Sequence, residues 1–181
     1  SGGVDSTLLA AVAKEELGER ALAVTAISPT YPRHEQDQAA KLAERIGILH
    51  ETVVSDELAV PGFADNPTNR CYFCKQELFA TVKRVALAYG IADIADGSNA
   101  DDLQDYRPGR KAAEEAGVLC PLLEAGLGKE EIRELSRRMG LPTADKPAFA
   151  CLASRFPYGS PITEAKLKAV DRLEEVLRDL G

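Results

Sequence analysis

The sequence predicts an α/β fold, a doubly wound parallel sheet flanked by helices. Apolar runs with strand character alternate with stretches of helical period: ALAVTAIS after Arg20 and ILHETVV over 48–54 bracket a helix-forming segment. Gly18, Gly47, Gly90 and Gly140 stand where successive helices should stop. The stretch SGGVDST turns directly into the apolar run Leu8, Leu9, Ala10, Ala11, Val12, the glycine-rich entry to a first helix that such sheets use.

The elements follow in order. A helix is expected over about 7–17, then a buried parallel strand, then SPTYPR as a loop. A second helix over about 35–46 leads to the strand at 48–54. DNPTNR, residues 65–70, is a turn-rich approach to CYFCKQELFATVKRVALAYG, whose helical period runs through Leu78, Val82, Val85 and Ala86. IADIADGSN reads as a short strand followed by a loop over 97–102. From Gly128 an amphipathic helix presents Ile132 and Leu135 on one face, and Arg133, Arg137 and Arg138 beside Glu130, Glu131 and Glu134 predict a solvated, salt-bridged face. TADKPAFACLASRFPYGSPIT is irregular, and its last residue, Thr163, is placed to cap a terminal helix reaching Leu180.

At 181 residues and 45% hydrophobic composition the chain suits one compact domain with room for a small appendage. No run approaches the roughly 18 apolar residues of a membrane span, and no charged-then-apolar leader is seen, so the reading is a cytoplasmic protein without a membrane partner. A net charge of −7 and a pI near 5.0 disfavour a broad nucleic-acid surface, which needs clustered Lys and Arg. A small-molecule substrate fits better.

SGGVDST is an anion trap. The first N–H groups of a helix lack partners and carry the positive end of its dipole. Gly2 and Gly3 admit oxygen atoms close to those amides, and Ser1, Ser6 and Thr7 add hydroxyl donors. The plainer account is an Asp5 or Ser6 N-cap after a tight turn. No Gly-Lys-Ser/Thr follows, so this is not a Walker A loop. SGGVDS resembles the PP-loop of the ATP pyrophosphatases, which split ATP between its α and β phosphates and adenylate a substrate.

Four cysteines remain to be placed. In a cytoplasmic chain a Cys-x-x-Cys pair is metal- or cluster-binding, a redox dithiol, or inert, and disulfide staples are not expected. Cys71 and Cys74 open a helix, and the dipole argument predicts lowered thiol pKa values. Cys151, in the irregular FACLASR, can face a crevice, whereas Cys120 in GVLCPLLEAG reads as a buried small hydrophobe. Three thiolates with an open position suit an iron–sulfur cluster, and four suit closed zinc.

The set SGGVDS, SPTYPR, NRCYFCK, DGSNADD with DYRPGR, and KPAFACLASRFPYG resembles the LarE family of sulfur transferases over nearly the whole chain. The resemblance implies adenylation of a carboxylate of pyridinium-3,5-biscarboxylic acid mononucleotide by MgATP. A sulfur nucleophile then displaces AMP, for the nickel-pincer nucleotide cofactor of lactate racemase. One subgroup sacrifices the sulfur of a cysteine matching Cys151, leaving dehydroalanine; another holds a [4Fe-4S] cluster on a cysteine trio, here Cys71, Cys74 and Cys151. The Cys-x-x-Cys favours the second. By motif match, Ser1, Gly2, Gly3, Asp5 and Ser6 would bind ATP phosphates and Ser28 would lie near the adenosine. Asp101 would sit by the nucleotide and Asp102 by Mg²⁺, while Ser154 and Arg155 would contact the activated substrate beside Cys151. Arg70 and Arg107 are weaker candidates that read as structural ion pairs. Residues 1–145 would form the PP-loop domain and 146–181 a substrate and cysteine segment opening a further region, so the chain reads as a piece of a longer protein. Family members commonly form homo-oligomers.

Two rival readings remain at this level. A tRNA thiolase combines the same loop and cluster but wants a basic surface. A nucleotide-binding module with structural zinc would use the cysteines without turnover.

Overall fold

A computed structural model describes residues 2–180. Helix α1, Val4–Leu17, starts three residues earlier than the period predicts, because extended Gly3 takes the N-cap and its carbonyl accepts the Thr7 N–H at 3.0 Å. Asp5 and Ser6 therefore stand inside the first turn. Strand β1, Leu22–Ile27, helix α2, Arg33–Ile46, and strand β2, Leu49–Val54, make a parallel β-α-β unit, with Leu22 opposite Leu49 and Ile27 opposite Val54. Gly47 closes α2 in the left-handed region. Small side chains hold this unit together: Ala21 and Ala43 are buried with Ile48, and Ala10, Ala13 and Ala23 pack against them. Among the described residues the sheet has only these two strands, so β1 keeps a free edge and is half-buried rather than fully buried.

The strand expected in IADIADGSN is reduced to one parallel bridge, Ala95 with Leu119. Asp, Asn and Gly are poor strand residues. The Asp96 carboxylate accepts the Ser98 N–H at 3.0 Å, which turns the chain instead. Ile94 still enters a core with Phe79 and Ala86 of α3, Arg70–Ala88, and with Ala112 and Ala113 of α4, Pro108–Glu115. Helices α4 and α5, Pro121–Glu124, go beyond the expected set; each opens on a proline, whose fixed φ and missing N–H suit the first helical position.

Helix α6, Lys129–Arg138, buries Ile132 against Val4, Leu8 and Leu122, which fixes it across the start of α1. Arg137 and Arg138 do pair with acids on the surface, but Arg133 departs from the expected solvated face. Its guanidinium reaches the carbonyls of Ala144 and Lys146, at 2.5 and 2.9 Å, and pins that segment to α6. Helix α7, Glu164–Leu180, is capped as expected, the Thr163 hydroxyl accepting the Lys166 N–H at 3.3 Å.

The irregular segment shares a core with residues far upstream: Leu152, Ala153, Ile162 and Leu167 bury against Phe63, with Cys74 and Cys151 packed on the same cluster. Asn66 braces the join. It is fully buried with φ of 55°. Its Nδ2 donates to the carbonyls of Phe156, Pro157 and Ser160 at 3.3, 2.8 and 3.1 Å, and its own carbonyl accepts the Gly159 N–H at 2.9 Å. Among the described residues no helix is long and apolar enough to cross a membrane.

Candidate active site

The first turn of α1 is shaped by two close approaches. Gly2 has φ of 67°, which a side chain would strain. Gly97 lies so near that a Cβ there would meet the Ser6 amide nitrogen at 3.0 Å, so the 96–99 loop and the helix start form one surface. Ser1, the first residue of the expected phosphate set, lies outside the described residues.

Lysines from two later segments converge on this turn. Lys129 Nζ donates to both carboxylate oxygens of Asp5, at 2.6 and 2.5 Å, and Asn99 Nδ2 adds a bond to the same acid at 3.1 Å. Lys146 Nζ donates to the Gly2 carbonyl at 3.1 Å and pairs with buried Glu35 at 2.7 Å. The turn thus combines a helix N-terminus with two lysines held by carboxylates.

Asp101 and Asp102 lie beside it. The Asp101 carboxylate accepts the Lys129 N–H at 2.8 Å and so caps α6. Asp102 closes a capping box with Asn99 and pairs with Arg107 at 3.0 Å, which makes Arg107 the structural ion pair the sequence suggests. Ser28 follows β1 and is buried; its hydroxyl donates to Glu57 and lies 2.8 Å from that of Thr30.

The second centre gathers thiols. Cys71 and Cys74 project from the first turns of α3, and Cys151 precedes the 3-10 turn Leu152–Arg155. The three sulfurs are close enough to act on one another electrostatically, and partly buried Tyr31 and buried Glu57 belong to the same neighbourhood. The dipole expectation fails for Cys74. Burial, with Glu57 next, pushes its thiol up to about 12, because desolvating a thiolate costs more than one helix end returns. Burial also raises Cys151, against the pull of Arg70. Tyr31 is held protonated by burial, a phenol donor in the pocket.

Other expected residues have structural partners. Ser154 Oγ donates to the Cys151 carbonyl at 2.8 Å, and Arg155 reaches the Ala150 carbonyl at 2.7 Å while pairing with Glu174 of α7 at 2.5 Å. Both knit the turn that presents Cys151. Arg70 is not an ion pair: its Nη1 donates to the neutral Asn66 side chain and its plane lies over the Tyr158 ring at 5.2 Å. Cys120 is half-exposed, not buried, with its thiol donating to Asp96 at 3.5 Å; burial and Asp96 push it up to about 11. Among the described residues no group of His, Cys, Asp or Glu is arranged to hold a single metal ion.

Residues 1–68 match the asparagine synthase family model. The fold is shared with an NMN synthetase from Francisella tularensis, TM-score 0.66 at 18% identity, over 97% of this chain and 74% of that one. "Uncharacterized protein slr1717" of Synechocystis sp. is 52% identical over all of this chain and 68% of its own length. The pyridinium-3,5-bisthiocarboxylic acid mononucleotide synthase of Lactiplantibacillus plantarum is 36% identical over all of this chain and 66% of its own length. The chain belongs to the LarE family of ATP-dependent sulfurtransferases. It spans about two thirds of the length of these curated relatives.

Lys129, Lys146, Asn99, Tyr31 and Glu57 join the two candidate centres without having been singled out from the sequence. Asn99, Lys146 and Tyr31 stand inside the motifs DGSNADD, KPAFACLASRFPYG and SPTYPR, but no role is read for them there. Replacing Lys129 by Met leaves the Asp5 carboxylate at the head of α1 without its lysine. Loss of a charged hydrogen bond of about 1.5–3 kcal/mol predicts a rise in KM for MgATP of roughly ten- to hundredfold, read by pyrophosphate release.

Proposed function

We propose that the protein adenylates a carboxylate of pyridinium-3,5-biscarboxylic acid mononucleotide and converts it to a thiocarboxylate, in nickel-pincer cofactor assembly. The observation that carries this reading is a short stretch of chain. Lys146 bonds the Gly2 carbonyl at the phosphate turn, and five residues later Cys151 lies among the thiols. Five extended residues reach at most about 18 Å, so an activated nucleotide held at the first centre presents its acyl carbon to the second.

In the first step a substrate carboxylate oxygen bonds to the α-phosphorus of ATP, the bond from that phosphorus to the β-bridging oxygen breaks, and pyrophosphate leaves. Gly2, Gly3, Asp5 and Ser6 would frame the phosphates, Lys129 and Lys146 would neutralise them, and Asp101 and Asp102 would hold the Mg²⁺ that offsets phosphate charge. Ser28 would lie towards the adenosine, and Ser1, outside the described residues, belongs to the same expected phosphate set. In the second step a sulfur anion bonds to the acyl carbon, and AMP leaves with the electrons of the broken C–O bond. Ser154 and Arg155 hold the turn against the activated substrate.

Cys71, Cys74 and Cys151 would hold a [4Fe-4S] cluster, which when bound supplies sulfide at the iron without a protein ligand. Each cysteine of such a cluster binds a different iron, so its ligands stand farther apart than those of one ion. The three thiols belong to one neighbourhood, which supports the reading. Assembly as a homo-oligomer is part of the same proposal.

Anaerobic reconstitution with iron and sulfide, followed by iron content, absorption spectrum and light scattering, tests this. A brown protein with about four irons per chain, lost in Cys74→Ala, is the expected result. A colourless protein that converts Cys151 to dehydroalanine in a single turnover would establish the sacrificial route instead.

A further inference from the structure

We propose that Arg70 is an anion-binding residue of the thiol pocket, placed to hold anionic sulfur beside Cys151. The inference builds on the sulfur-transfer reading and assigns the group that positions the sulfur.

The argument is one of unsatisfied charge. Arg70 is only 6% exposed, and among the described residues no carboxylate pairs with it. Among the described residues its guanidinium makes one hydrogen bond, from Nη1 to the neutral Asn66 Oδ1, and its Nε–H is buried without a partner. Burying a guanidinium with neither counter-charge nor full hydrogen bonding is costly, and burying arginine normally brings a carboxylate with it. Here the opposite arrangement is enforced. Asn66 is immobilised by the carbonyls of Phe156, Pro157 and Ser160, and Tyr158 covers the guanidinium face. The plane is therefore fixed and its Nε edge is left to a ligand that comes and goes.

The surroundings state the sign of that ligand. Cys151 is the sulfur on which the Arg70 charge acts. The pocket's buried carboxylate, Glu57, acts instead on Cys74 and Tyr31, and its oxygens are taken by the hydroxyls of Ser28 and Ser55. The pocket is thus polarised, repelling negative charge near Cys74 and attracting it near Cys151.

The test compares the parent chain with Arg70→Met and Arg70→Lys. On iron-free protein, the rates of Cys151 alkylation by iodoacetate, an anion, and by iodoacetamide, its neutral isostere, are measured by mass spectrometry; their ratio cancels changes in thiol ionisation. The ratio should fall about tenfold in Arg70→Met and by less in Arg70→Lys, which keeps the charge but not the fork. On iron-loaded protein, anaerobic titration with sodium sulfide should show ten- to hundredfold weaker binding in Arg70→Met. An unchanged alkylation ratio overturns the proposal, as does an unchanged sulfide affinity. If Arg70→Met does not fold, the Arg70→Lys ratio decides alone. Failure of the parent chain to take up iron counts against the cluster, while the alkylation ratio still judges Arg70.

Discussion

Replacement of Cys151 by alanine is expected to abolish thiocarboxylate formation and leave pyrophosphate release from MgATP within about threefold of the parent chain. The two centres are built from different parts. The phosphate turn depends on Gly2, Gly97, Lys129 and Lys146, none of which touches the Cys151 side chain. Cys151 packs instead on the cluster of Phe63, Leu152, Ala153, Ile162 and Leu167. Removing one sulfur atom there costs about 1 kcal/mol of packing, too little to unfold a domain. Pyrophosphate release and O-to-S mass change, followed in one reaction, separate the steps. Loss of both would mean that Cys151 shapes the adenylation site, and retention of both would remove it from sulfur transfer altogether.

What the sequence revealed and what it concealed divide along the range of the interactions involved. The β-α-β unit was legible because apolar period and glycine stops are local signals, and α1 was misplaced only where a glycine N-cap replaced the expected polar one. The anion trap was legible for the same reason. Its cations were not: Lys129 lies 124 residues from Asp5 and Lys146 lies 144 from Gly2. In sequence, Lys129 is one more charge in GKEEIRE, and Lys146 merely precedes a proline in an irregular segment. The thiol pKa values went wrong in an instructive direction. The helix dipole is a property of α3 alone, whereas the burial that overrides it at Cys74 comes from Phe63 and the 152–167 segment folding over it. Arg133 and Arg70 were read from neighbouring charges, yet tertiary contacts gave one of them backbone carbonyls and denied the other a carboxylate. The third strand failed because an apolar run was counted without its Asp and Gly, whose turn chemistry prevailed.

Asn66→Ala is expected to lower stability by roughly 2–4 kcal/mol, read as a drop in the urea midpoint with little change in slope. Alanine in the left-handed region costs about 1 kcal/mol relative to asparagine, which tolerates it. The remainder comes from three carbonyls and a buried guanidinium that lose their partner, discounted because the 156–160 carbonyls are only partly buried. The loss should fall on the junction between residues 63–70 and the irregular segment, where proteolysis would first cut the variant. Asn66→Asp separates this structural role from the chemical one. It tolerates the same backbone and keeps an oxygen for Arg70, but it supplies the carboxylate that Arg70 lacks. If Arg70 serves an incoming anion, that ion pair should depress the iodoacetate-to-iodoacetamide ratio at Cys151 with the guanidinium still in place. A chain that lost stability without losing that ratio would reduce Arg70 to a brace for the loop.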